Sequence, residues 1–186
     1  MQKPRLFLIH GWGGSPKRDW MPWAKKVLAE KGFEVYLPQM PDTDTPEMGA
    51  WVGYLTTLVG ELRPTDTFVG HSIGCQTILR YLEKQQGKAD KVVLVAPWFT
   101  LTNLESDEMW KIADPWLKST MNFTQIIPKA NAFVTIFSDN DPWVPYGENK
   151  ALFEEKLHPK IVTFHAKGHM TDEEGITELP ELLLAL

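Results

Sequence analysis

The chain has a single cysteine, Cys75, so it can form no internal disulfide and offers no cysteine-based zinc site. It also lacks long apolar runs. The opening MQKPRLFLIHGWGG holds four consecutive apolar residues, Leu6 to Ile9, too few for a secretory signal. The C-terminal LPELLLAL is far too short to span a bilayer. Nor is there a cationic excess. Lys and Arg number 19 against 24 Asp and Glu, and the net charge of −5 argues against nucleic acid, because phosphate binding needs clustered cations. No basic amphipathic stretch points to a membrane surface, and no repeat, linker or low-complexity segment divides the 186 residues. A single cytoplasmic domain without cofactor or metal is the simplest expectation.

What is present is an alternation. Short apolar, β-rich runs stand at 5–10 (RLFLIH), 34–38 (EVYLP), 65–71 (TDTFVGH), 91–97 (KVVLVAP), 132–138 (AFVTIFS) and 160–166 (KIVTFHA). Helical patterns lie between them. One runs from Ser15 as N-cap and Pro16 as first residue to a stop at Gly32, and another over 45–62 opens on Thr45-Pro46. Others follow Ser72, cover 148–157 and end the chain. Strands apolar throughout and separated by helices predict a parallel sheet of about six strands, covered on both faces as an α/β/α sandwich. One stretch, 98–131, is too long for a plain loop and is expected to form a small cap or rim with short helices of its own.

In an open parallel sheet, ligands gather at the carboxyl ends of the strands. The chemically suggestive residues all follow such ends: His10-Gly11-Trp12-Gly13-Gly14, Gly70-His71-Ser72-Ile73-Gly74, the SDNDPWVP stretch with Asp139 and Asp141, and AKGHM with His169. A Gly-x-Ser-x-Gly turn between strand and helix lifts a serine into a strained, exposed position, and small residues two before and two after relieve the crowding. The plainer alternative is a glycine-eased turn without chemistry.

A serine hydroxyl needs a base, and the base needs an orienting acid. His71 adjoins Ser72 and should point elsewhere. His10 should brace the first loop, His158 should be solvated, and His165 should sit at the tip of strand six. Gly168 frees the loop of His169, which is the favoured base. For the acid, Asp141 gains from the rigid Pro142-Trp143-Val144-Pro145 that follows, while Asp139 suits a turn-capping role. The calcium-loop alternative for this stretch lacks the required glycine.

Taken together, these motifs resemble the α/β-hydrolase superfamily, in which the triad runs Ser, Asp, His along the chain. Within it, the short length and SDNDPWVP are similar to the small serine hydrolases typified by retinoblastoma-binding protein 9 and bacterial YdeN-type proteins. The resemblance spans essentially the whole chain. It implies a compact fold with strand order 2-1-3-4-5-6, Ser72 as nucleophile, Asp141 as acid and His169 as base. Acyl transfer also needs two backbone N–H groups facing the developing oxyanion, each worth about 3 kcal/mol. Ile73 and Trp12 are the expected donors, with Gly13 and Gly14 permitting close approach.

Among eight tryptophans, Trp20, Trp23 and Trp51 are expected in the core. Trp12, Trp98 and Trp143 should ring the site, the latter two as substrate-binding residues, and Trp110 and Trp116 belong to the cap. Aromatic walls for an acyl pocket and plain packing under the cap are both consistent with this. Cys75 should be a small buried hydrophobe and the acidic run 172–175 a solvated helix start. The expected activity is hydrolysis of an ester, thioester or amide of a small acyl substrate. A binding module on a hydrolase fold and an acyltransferase using the same triad are the competing readings; a protein partner is compatible with either and has no signature in the sequence.

Overall fold

The computed structural model describes residues 3–186. Among these, strands and helices alternate as β1 (Arg5–Ile9), α1 (Met21–Glu30), β2 (Glu34–Tyr36), α2 (Met48–Val59), β3 (Thr67–His71), α3 (Ile73–Glu83), β4 (Ala89–Val95), α4 (Asp107–Lys118), α5 (Phe123–Ile126), β5 (Ala130–Ser138), α6 (Tyr146–Leu157) and β6 (Lys160–Phe164). The sheet runs β2-β1-β3-β4-β5-β6, with every neighbouring pair parallel. This is the predicted order and the α/β-hydrolase architecture.

Strand periodicity explains the two faces. Successive side chains point to opposite sides of a strand, so Phe7 and Ile9 enter one core while Leu6 and Leu8 enter the other. In β4, Val92 and Leu94 are likewise separated from Val93 and Val95. The first core packs against Trp51 and Leu55 of α2, Ile78 and Leu82 of α3, and Phe153 of α6. The second packs against Met21, Ala24 and Leu28 of α1 and against Leu179 and Leu182 near the C-terminus. Trp20 and Trp51 are fully buried as expected, while Trp23 is only partly so.

Three local expectations need correction. Helix α1 starts at Met21, not at Ser15-Pro16, because Asp19 takes a positive φ of 54° that no right-handed helix allows, and residues 18–19 are drawn toward Asp172. Pro22 is the proline of its first turn, and Gly32, at φ 99°, follows its C-cap. Helix α2 is capped by Glu47, whose carboxylate accepts the N–H groups of Gly49 and Ala50 at 3.0 and 2.6 Å, rather than by Thr45. The C-terminal Pro180–Leu184 winds as a 3-10 turn.

The segment 98–131 does form helices of its own. Ser106 Oγ accepts the Met109 N–H at 3.2 Å and caps α4, whose first turn carries Asp107 and Glu108 against the positive end of the helix dipole. At the other end of α4, Arg80 Nη2 donates to the carbonyls of Trp116 and Ser119, both at 2.9 Å. Trp116 is buried against Trp51, and its Nε1 donates to Pro46 O at 3.0 Å. The segment is thereby fastened to α3 and to the start of α2.

Candidate active site

Ser72 stands where β3 gives way to α3, at φ 53° and ψ −120°. Such a conformation costs a non-glycine residue about 1–3 kcal/mol, and the surroundings enforce it. The Ser72 N–H is held by Val95 O at 2.9 Å, and the turn leaves no room for larger neighbours. A Cβ on Gly70 would lie 2.8 Å from Cys75 N and 2.9 Å from Gly74 C. One on Gly74 would lie 2.5 Å from Ile9 O. The first glycine lets α3 fold back over β3, and the second lets it press against the end of β1. Cys75 is buried beneath this turn, its Sγ donating to Gly70 O and Val95 O at 3.2 and 3.3 Å.

The loop after β5 brings Asp141 to the loop after β6. His169 Nδ1 lies 2.7 Å from Asp141 Oδ2, and the two side chains are only 7% and 2% exposed. The other carboxylate oxygen, Oδ1, accepts the N–H groups of Trp143 and Val144 at 3.0 Å each. The carboxylate is therefore fixed by its own turn while it orients the imidazole. The Trp143 ring meets the His169 ring nearly at right angles, 5.1 Å between centroids.

Ser72 and His169 line one cavity of about 320 Å³. No hydrogen bond joins their side chains among the described residues; in substrate-free sites this contact is often long and tightens on binding. Trp12 and Ile73 border the same cavity. Ile73 is the first residue of α3, so its N–H has no acceptor within the helix. The Trp12 loop is held by Gly13 N–H on Thr43 O at 2.8 Å and by the Trp12 indole on Asp44 O at 2.8 Å. His10 braces it from behind. Its Nε2 accepts the Met40 N–H at 3.1 Å, so Nδ1 carries the proton and donates to Gly11 O at 2.9 Å. Burial pushes the His10 pKa down.

Trp98 and Trp143 also line the cavity, with Leu101, Leu104 and Met109 from the 98–131 segment. Trp110 is at the surface and Trp116 is part of the packing. Across the cavity the lining turns polar, with Arg18, Asp19, Thr171 and Glu173. Arg18 pairs with Asp172 at 2.9 Å and Glu173 at 3.3 Å, and burial raises the Asp19 pKa.

Sequence reasoning missed this charged side, as well as Glu174. The run 172–175 is more than a solvated helix start: Glu174 Oε1 accepts the His169 N–H at 2.7 Å. The Thr171-x-x-Glu174 spacing is a capping-box signature that could have flagged it. The other candidates fall where expected. Asp139 Oδ1 accepts the Ala166 N–H at 2.9 Å and Oδ2 meets His165 Nδ1 at 2.7 Å, away from the cavity. His158 ends α6 in the left-handed region. Among the described residues no group of three or more His, Cys, Asp or Glu is placed to hold a metal ion, and no helix is long and apolar enough to cross a membrane.

Known proteins resemble this chain in sequence and in fold. The sequence profile described as serine hydrolase matches residues 6–186. YdeN of Bacillus subtilis, classed by name as a hydrolase, is 28% identical over 178 residues, covering 95% of this chain and 90% of YdeN. The crystal structure of the B. subtilis ydeN product superposes with a TM-score of 0.86 at 27% identity, covering 96% of this chain and 94% of the other. A carboxylesterase structure from Nitrososphaera gargenis shares the fold at a TM-score of 0.71 and 15% identity, covering 98% and 89%.

Proposed function

The chain belongs to the serine hydrolase family, and from that premise we propose that it hydrolyses carboxylic esters through Ser72, His169 and Asp141. The observation that carries this reading is the Asp141–His169 pair, 2.7 Å apart and nearly closed to solvent, with His169 lining the cavity into which the strained Ser72 turn opens.

His169 Nε2 takes the Ser72 hydroxyl proton as Oγ attacks the ester carbonyl. The backbone N–H groups of Ile73 and Trp12 receive the oxyanion. Collapse of the tetrahedral species breaks the bond to the alkoxy oxygen, and His169 returns the proton to the departing alcohol. Water then attacks the acyl-enzyme, giving its proton to His169. A second collapse frees the carboxylic acid and restores Ser72. Throughout, Asp141 holds Nδ1–H and stabilises the transient imidazolium. The acyl group packs among Trp98, Leu101, Leu104 and Met109, with Trp143 beside the base. The segment 98–131 acts as the cap of this pocket.

A binding module would have no use for a serine held at φ 53°, so the strained turn supports turnover over passive recognition. The test is intact-mass analysis after treatment with a fluorophosphonate. The Ser72 Oγ–P bond forms as P–F breaks, adding one phosphonyl group. A single adduct on wild type and none on Ser72→Ala is the expected result. No adduct on folded wild type would overturn the reading.

A further inference from the structure

His169 is gripped by side chains at both of its main-chain groups. Its N–H donates to Glu174 Oε1 at 2.7 Å, and its C=O accepts from His71 Nε2 at 2.8 Å. Neither bond belongs to the sheet, because β6 ends at Phe164. The loop beyond it is irregular: Ala166, Gly168 and Met170 all have positive φ, at 55°, 55° and 59°. Such a loop has no ladder to set its position, so its anchors decide where the imidazole stands.

Both anchors are themselves well fixed. Glu174 Oε2 accepts the N–H and the hydroxyl of Thr171, each at 3.1 Å. His71 is 2% exposed, and its ring lies 5.1 Å from that of His169. A carbonyl oxygen only accepts, so His71 must carry its proton on Nε2, leaving Nδ1 bare and without a partner. Burial, then the neighbouring His169, drives the His71 pKa down to about 3, so the residue is neutral when its neighbour takes up a proton.

We propose that His71 and Glu174 are positioning residues for His169, a two-sided clamp on its main chain that registers the base against the nucleophile. The inference rests on the reading of His169 as base. Its particular consequence comes from chain order. His71 and Ser72 are one dipeptide, so the unit that presents the nucleophile also holds the base. Asp141 pins only one ring nitrogen, and an imidazole pinned there can still shift with its backbone. A displacement near 1 Å at a reacting group can lower a rate about 100-fold.

The experiment measures fluorophosphonate modification of Ser72, separating the maximal rate kinact from the half-saturating concentration KI. His71→Met removes the donor at similar length, and His71→Gln restores an N–H donor at the position of Nε2. Glu174→Met opens the other jaw without touching the Ser72 turn. Thermal melts confirm that each variant is folded. His71→Met and Glu174→Met are expected to lower kinact about 10- to 100-fold with KI within about twofold, and His71→Gln to recover most of the loss. The clamp is overturned if folded Glu174→Met retains kinact within twofold. It is equally overturned if folded His71→Met does so, or if His71→Gln falls as far as His71→Met. Should the His71 variants fail to fold, Glu174→Met alone decides. Failure of the triad reading looks different, since wild type itself would then take up no label.

Discussion

Asp141 and His169, 28 positions apart in sequence, meet at 2.7 Å because β5 and β6 run parallel and release their loops at the same edge of the sheet. Asp141 Oδ1 is occupied by two backbone N–H groups, so only Oδ2 serves the imidazole. Asparagine keeps an oxygen for the turn but places an amide N–H against Nδ1, favouring the wrong tautomer. Asp141→Asn should therefore stay folded while kcat on a p-nitrophenyl ester falls on the order of 10⁴-fold. Steady-state kinetics alongside a thermal melt check this, and a loss below tenfold would remove Asp141 from the proposed triad.

The two glycines of the Ser72 turn should tolerate a side chain far less well than a glycine with open space around it. Gly74→Ala forces a Cβ to within 2.5 Å of Ile9 O, a backbone atom that cannot swing aside. Destabilisation of about 3 kcal/mol or more is expected, together with loss of labelling at Ser72. Gly53, where an added Cβ meets nothing within 4 Å, is the control. Gly53→Ala lies inside α2 and should be neutral to stabilising. Urea denaturation distinguishes the pair.

Trp98 is 2% exposed yet borders the cavity, so it contributes both packing and wall. Trp98→Ala should cost about 3–5 kcal/mol of stability and move the preference among straight-chain esters toward longer acyl groups. Met109→Ala, half-buried on α4, should shift the preference in the same direction at much lower cost to stability. Rates measured across an acyl-length series give the result. Proportional losses at every length would assign these residues to packing alone.

Asp19 offers a prediction for pH. Burial raises its carboxyl pKa in the folded state. The folded state therefore binds more protons than the unfolded state between the two pKa values, and the contribution of Asp19 to stability declines as pH rises across that interval. Asparagine retains the Oδ1 that accepts the Asp172 N–H at 3.0 Å but has nothing to ionise. Asp19→Asn should thus raise the melting temperature relative to wild type, with a gain that grows from about pH 4 upward until the folded-state carboxyl has ionised. Parallel melts from pH 4 to 8 test it; a gain that shrinks with rising pH would reverse the sign.

Much of the fold was legible because it depends on local rules. Apolar runs such as KVVLVAP are buried on both faces, and a strand buried on both faces within an alternating chain implies the parallel sandwich. The Ser72 turn was readable for the same reason: glycines at positions 70 and 74 mark a steric requirement that acts over a few residues. The start of α1 was not readable. Ser15-Pro16 is a sound local opening, but the link from Arg18 and Asp19 to Asp172 competes with it and acts across more than 150 positions.

Strand–helix alternation, the serine turn and the family to which the chain belongs could all be read along the chain, since each rests on residues close together or on a motif in fixed order. The surroundings of His169 could not, because they are assembled only when the chain folds. That Glu174 takes its N–H, that His71 takes its C=O, and that Arg18, Asp19 and Glu173 form the polar side of the cavity all depend on loops from β1, β3, β5 and β6 converging at one edge of the sheet. Hydrogen bonds act over about 3 Å, and no pattern along the chain specifies which of its distant polar groups will come that close.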